Sequence, residues 1–161
     1  KGKVLDYKGI CKSLDGSCYI YLKDKNDNKT IEKIKALLKS LPVDFILEGE
    51  EIGKSGGDME ASLMIEANLD YYFVDDIDGE IIDEIKDEEV GVKAHRHKAT
   101  HGYSPKKENY TTFFIGSGRG FKNGVVIDKG NLINHGPTLA KVLGLKFNDI
   151  DGEAVEEILN I

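Results

Sequence analysis

The densest grouping of chemically competent side chains is His95-Arg96-His97-Lys98-Ala99-Thr100-His101-Gly102-Tyr103-Ser104-Pro105, which holds three of the four histidines. Imidazole is the commonest protein metal ligand, and a loop beside an apolar segment is where an enzyme presents one. His95 and His97 are two apart, so an extended backbone turns both to one side. His97 and His101 are four apart, the spacing of one helical turn, but Gly102 and Pro105 mark the stretch as a loop. A catalytic zinc takes three protein ligands and leaves one position to water. Spacing alone therefore leaves two readings open: a local three-histidine site, or solvated surface histidines at 95 and 97.

Other chemistries have weaker signals. Ser117 sits between Gly116 and Gly118 after an apolar run, yet no GxSxG elbow is present, and a turn is the simpler reading. His135 precedes a helix start, where an anion can bind, although a helix-entry role suffices. Lys54-Ser55-Gly56-Gly57 lacks the GxxxxGK[ST] spacing of a phosphate loop and reads as a connection. Cys11 and Cys18 form neither a CxxC motif nor a disulfide framework, and read as free, partly buried thiols of a cytoplasmic protein.

The elements that must position these groups follow from composition and periodicity. A chain of 161 residues, 40% hydrophobic and 32% charged, is long enough for a globular domain with its own core. The net charge of −7 argues against a nucleic-acid polymer as partner. Acidic runs at 75–78 and 83–89 read as a solvated rim. No apolar run approaches the ~20 residues of a membrane span, and the opening residues lack the apolar core of a signal peptide.

Ser17–Leu22 reads as a strand, and Asp24–Asn28 as a turn able to cap a helix carrying Ile31, Ile34, Leu37, Leu38 and Leu41, which Pro42 stops. Val43–Leu47, Ser62–Ala67 and Tyr71–Val74 read as further strands, with Glu80-Ile81-Ile82 pairing back after an Asp78-Gly79 turn. Residues 83–110 form the histidine loop. Thr111–Ile115 has the pattern of a central strand and Val125–Ile127 that of a short one. Pro137 stands as the first residue of a helix with Leu139, Val142 and Leu143 buried and Gly144 closing it. Asp151 caps a last helix with Val155, Ile158 and Leu159 inward. The fold class expected is α/β (α+β mixed), in one domain.

Thr100-His101-Gly102-Tyr103, then Phe113-Phe114-Ile115-Gly116-Ser117-Gly118, then Gly124-Val125-Val126, then Pro137-Thr138-Leu139-Ala140 with Val142-Leu143-Gly144-Leu145, form an ordered set. Together with Asp15-Gly16-Ser17-Cys18-Tyr19-Ile20-Tyr21-Leu22, this set resembles the C-terminal part of type I phosphodiesterase/nucleotide pyrophosphatase proteins of the alkaline phosphatase superfamily. The resemblance implies a mostly parallel sheet flanked by helices, with 13–90 a smaller αβ insert that overhangs the active site and 91–161 the C-terminal block of the catalytic fold. It implies two divalent metal ions, usually zinc, that activate a Thr or Ser nucleophile. It makes His101 a metal ligand, while His95 and His97 match nothing in it.

The family's nucleophile and its Asp-His-Gly ligands lie N-terminal to this region, and no Asp-His pair occurs here. The expectation is a C-terminal segment of a larger hydrolase, silent by itself, with no catalytic residue of its own and an incomplete metal site. Its parent would act on a small phosphoester or nucleotide, and the isolated segment could self-associate. The alternatives are a free-standing binding domain of the same fold, or a superfamily relative acting on phosphonates or as a phosphomutase.

Overall fold

A tight hairpin near the start of the chain sets the frame of the sheet. In the computed structural model, which describes residues 5–76 and 78–161, β1 (Gly9–Leu14) and β2 (Ser17–Leu22) pair antiparallel from Gly9↔Leu22 to Leu14↔Ser17. Asp15-Gly16 makes the two-residue turn, with Asp15 at φ 62°. Asp is among the few side chains that tolerate this left-handed conformation, and in this turn only the first central residue takes it. The sequence pattern starts the strand at Ser17 and signals no β1. Lys8, Lys12 and the exposed side chains between them give β1 little apolar alternation, because it is an edge strand supported from one side only.

From β2 the chain turns into α1 (Asn28–Leu38), then β3 (Val43–Leu47), the short α2 (Glu50–Lys54) and β4 (Leu63–Ala67). The sheet order is β1-β2-β4-β3, antiparallel at each pairing. The fold is thus mixed α and β, but its described sheet is not the mostly parallel one that the resemblance implies. On one face Cys18, Ile20, Leu22, Leu63 and Ile65 join Leu38 of α1 in the core, with Ile31, Ile34 and Phe73 packed against it. On the other face α2 buries Ile52 completely. The connection read at Lys54-Ser55-Gly56-Gly57 is therefore preceded by a helical turn that ends at Lys54.

Asp27 starts α1 by accepting hydrogen bonds from the Thr30 amide at 3.0 Å and the Thr30 hydroxyl at 2.6 Å. Those bonds, with Lys8 nearby, hold its carboxyl below the ordinary value of 3.8. A depressed carboxyl contributes stability that is complete above 3.8 and is lost as pH falls through its lower folded value. Asp27→Ala should therefore lower the thermal midpoint at neutral pH. The gap from wild type should close on acidification below 3.8, as followed by circular dichroism.

Several expected elements are absent among the described residues. Tyr71–Val74 is irregular because its backbone runs beside the hairpin, the Phe73 amide donating to Asp15 O at 2.8 Å and Ser13 Oγ donating to Phe73 O at 2.7 Å. Glu80-Ile81-Ile82 lies exposed, without strand structure.

The chain divides into two compact units at Tyr110/Thr111. In the second unit, Thr111–Ile115 and Val125–Ile127 form no strand, and Phe113, Ile115 and Val126 are each more than 80% exposed. Apolar β-branched runs become strands only where a partner supplies a ladder, and none among the described residues does so here. Helix α3 (His135–Val142) starts two residues before Pro137 and closes at Gly144, φ 68°. It buries Pro137, Thr138 and Ala140, leaving Leu139 and Leu143 exposed. The last helix reduces to a 3-10 turn, Glu156–Ile158, although Leu159 is buried as its pattern suggests. No helix among the described residues is long and apolar enough to cross a membrane.

Candidate functional site

The Asp15-Gly16 turn is the platform on which the segment 101–107 is docked. Gly16 donates its amide to His101 O at 2.8 Å. Gly102 takes φ 87°, and a Cβ there would come within 1.9 Å of Leu14 O, so only glycine lets the two backbones approach this closely. A Cβ on Gly16 would in turn strike the ring of Tyr103 at 2.5 Å. Tyr103 donates its hydroxyl to Tyr71 O at 2.6 Å and meets Tyr110 edge-on at 5.3 Å between centroids.

Beyond Tyr103 the segment crosses the face opposite α1. Glu66 of β4 is fully buried there, accepting from the Ser104 amide at 2.8 Å with one oxygen. Its other oxygen faces Lys107 Nζ at 3.3 Å, which also reaches Asp44 Oδ2 at 2.5 Å. Burial pulls the Lys107 ammonium down, but the bonds to Asp44 and Glu66 outweigh it and the net shift is upward. The Ser104 amide bond and the Lys107 charge together fix the segment's register against Glu66, whose second oxygen has the ion-pair contact but no hydrogen bond.

That register carries His101 to the hairpin tip. Its side chain is 84% exposed, and Nε2 lies 3.6 Å from Asp15 Oδ2. With zinc bonds of about 2.0–2.1 Å, two ligands of one tetrahedral ion stand about 3.4 Å apart, so the separation is close to that of two donors sharing a metal. His101 and Asp15 supply only two donors. Among the described residues no three His, Cys, Asp or Glu side chains gather into a group that could hold a metal ion. A catalytic zinc is therefore not completed by these residues, and no catalytic step follows from them.

His95 and His97 meet Tyr72 instead. His97 stacks on Tyr72 with centroids 4.6 Å apart, and its amide donates to the Tyr72 hydroxyl at 3.3 Å. His95 takes φ 56° and offers its carbonyl to the same hydroxyl at 2.5 Å. The two are thus not brought together with His101 as ligands. The acidic run 83–89 ties this loop down: Asp83 pairs with Arg96, Asp87 with Lys98 at 2.5 Å, and Glu89 with Lys93 at 2.5 Å. It is a set of clamps as well as a solvated rim. Asp15 is the participant missed in the sequence, where its only signal was an Asp-Gly turn ahead of a strand.

The second unit has a groove of about 870 Å³ whose lining includes Phe114, Phe121, His135 and Thr138. His135 is the first residue of α3 and packs against Phe114 at 5.0 Å. Thr138 is buried and ties α3 internally, donating to Asn134 O at 2.6 Å and accepting from the Val155 amide at 3.0 Å. Ser117 lies exposed in its glycine turn. Among the described residues, neither His135 nor Ser117 has a partner that would activate it as a base or nucleophile.

No protein-family model, curated protein or solved structure matches this chain.

Proposed function

We propose that this chain supplies one side of a metal-dependent phosphodiesterase or nucleotide pyrophosphatase-like site, of the alkaline phosphatase type that its sequence resembles. His101 is the ligand it contributes and Asp15 the carboxylate beside it. The observation that carries this reading is the 3.6 Å separation of His101 Nε2 and Asp15 Oδ2 on a turn held by Gly16 and Gly102. Preorganised donors on a rigid element are what a metal site requires, since a mobile side chain must be ordered on binding. The remaining ligands and the Thr or Ser nucleophile would come from outside the described residues. When bound, the two divalent ions, zinc in this reading, would polarise a phosphoester of a small substrate or nucleotide. This chain's own part is to bring an imidazole and a carboxylate to one turn through their docked backbones.

Zinc titration by calorimetry on the 161-residue chain tests the reading. Weak binding is expected, with affinity falling at least about tenfold in His101→Ala and in Asp15→Asn, as loss of a ligand exceeds loss of an outer partner. Equal affinity in wild type and both variants would remove the assignment. In a polypeptide that carries the other ligands, hydrolysis of an aryl phosphodiester should fall by orders of magnitude in His101→Ala.

A second reading, a non-catalytic binding domain, is favoured by the two-donor count. It predicts zinc binding sensitive to both substitutions, with no phosphodiester hydrolysis in any longer form.

A further inference from the structure

We propose that Cys11 and Cys18 form a redox-modification site, in which Cys11 is attacked by low-molecular-weight disulfides and Cys18 resolves the adduct into an intramolecular disulfide. This goes beyond the metal-site reading and does not depend on it.

The sheet register carries the proposal. Cys11 faces Ile20 and Cys18 faces Ser13, so the two cysteines are diagonal neighbours on one face of the β1–β2 hairpin. The right-handed twist of a two-stranded ribbon draws one diagonal of such a quartet together. The register thus puts the two thiols on adjacent strands and the same face, with one residue pair between them. Their exposures are opposite: Cys11 is exposed on the edge strand and Cys18 is buried under the core face. An attacking thiol must be reachable, while a resolving thiol need only reach its neighbour. An edge strand paired on one side also has freedom to close the last part of the gap.

The charge arrangement fits these roles. The hydrogen bond from Cys18 lowers the Cys11 thiol to about 7, against burial and the nearby Asp75 carboxylate, which push it up. The neighbouring Cys11 and burial push the Cys18 thiol far up. It also approaches Tyr19 O at 3.5 Å. Capping Cys11 removes the neighbour that raises the Cys18 thiol most and leaves burial as the main remaining upward push.

With glutathione disulfide as oxidant, the Cys11 thiolate attacks one sulfur and expels a glutathione thiolate. The Cys18 thiol then gives its proton to solvent, and its sulfur attacks Cys11 Sγ, expelling the second glutathione. Two protein thiols are oxidised by two electrons and one glutathione disulfide is reduced to two glutathiones.

The chain offers a direct readout, because Lys12 separates the cysteines into different tryptic peptides, Gly9–Lys12 and Ser13–Lys23. The folded chain is treated with glutathione disulfide, the remaining thiols are alkylated, and the protein is digested without reduction. The expected product is the linked pair of peptides, with the intact mass lower by two hydrogen atoms. In Cys18→Ala the reaction should stop at one glutathione on Cys11. A stable glutathione adduct on Cys11 of the wild type would overturn the proposal. So would a disulfide between two chains, or two thiols left open to alkylation.

Discussion

Gly102→Ala is expected to undock the segment 101–107 and to destabilise the fold by about 3 kcal/mol or more. A left-handed conformation costs an L-residue roughly 1–2 kcal/mol, and the rest comes from forcing a methyl group against a carbonyl. Here the new Cβ would stand 1.9 Å from Leu14 O, and backbone on both sides leaves nothing soft to yield. Gly79 and Gly144 also have positive φ, but a Cβ there meets nothing within 4 Å. Alanine at either should therefore cost only the conformational part. Urea unfolding of the three variants separates strain from collision. If Gly102→Ala is no worse than the other two, the close approach of the segment to the hairpin is not what holds it. The same variant should lose the His101–Asp15 pairing, so its zinc affinity should fall with its stability. An intact site in the undocked protein would show that the pairing does not depend on docking.

Removing Lys107 should have a comparable effect for a different reason. Lys107→Met leaves Glu66 fully buried without its cation, and breaking a buried pair by removing one partner costs about 3–5 kcal/mol. Glu66→Gln keeps an acceptor for the Ser104 amide and should relieve much of that loss when combined with Lys107→Met. The double variant is then more stable than Lys107→Met alone, and a double-mutant cycle in urea measures the coupling. The pH dependence has a definite sign. The Lys107 ammonium titrates above its ordinary 10.5, so its contribution is complete below 10.5 and is lost as pH rises through the raised folded value. Wild type should weaken along that alkaline limb, and Lys107→Met should follow it less steeply. Parallel limbs would mean that Lys107 does not sense Glu66 and Asp44 in the folded chain.

These two variants bear on one structural fact: the candidate site depends on a segment pinned at Gly102 and at Lys107, with Tyr103 between the pins and His101 beside the first. Neither pin is chemically conspicuous. A lysine in a polar run such as Lys106-Lys107-Glu108 reads as solvated surface, and its burial becomes evident only when Glu66 of a distant strand is placed beneath it.

What the sequence determined by itself is local. Ser17–Leu22, Val43–Leu47 and the strand ending at Ala67 form where aromatic and β-branched residues cluster. The helix through Ile31, Ile34 and Leu38 forms where apolar spacing and the Asp27 cap agree. Such choices depend on neighbours a few residues away, so periodicity and capping chemistry suffice to read them. Tertiary structure decided everything that required a distant partner. It made β1 a strand although its side chains hardly alternate, because β2 provides the ladder. It left Thr111–Ile115 and Val125–Ile127 irregular although their composition favours strands, because no described ladder meets them. It assigned His97 to a stack with Tyr72, set Cys11 beside Cys18, and brought Asp15 to His101. Side-chain types name the chemistry available, but a site is a set of distances between remote residues. Those distances are set by sheet register and by backbones packing at contact, as at Gly102, Leu14 and Gly16.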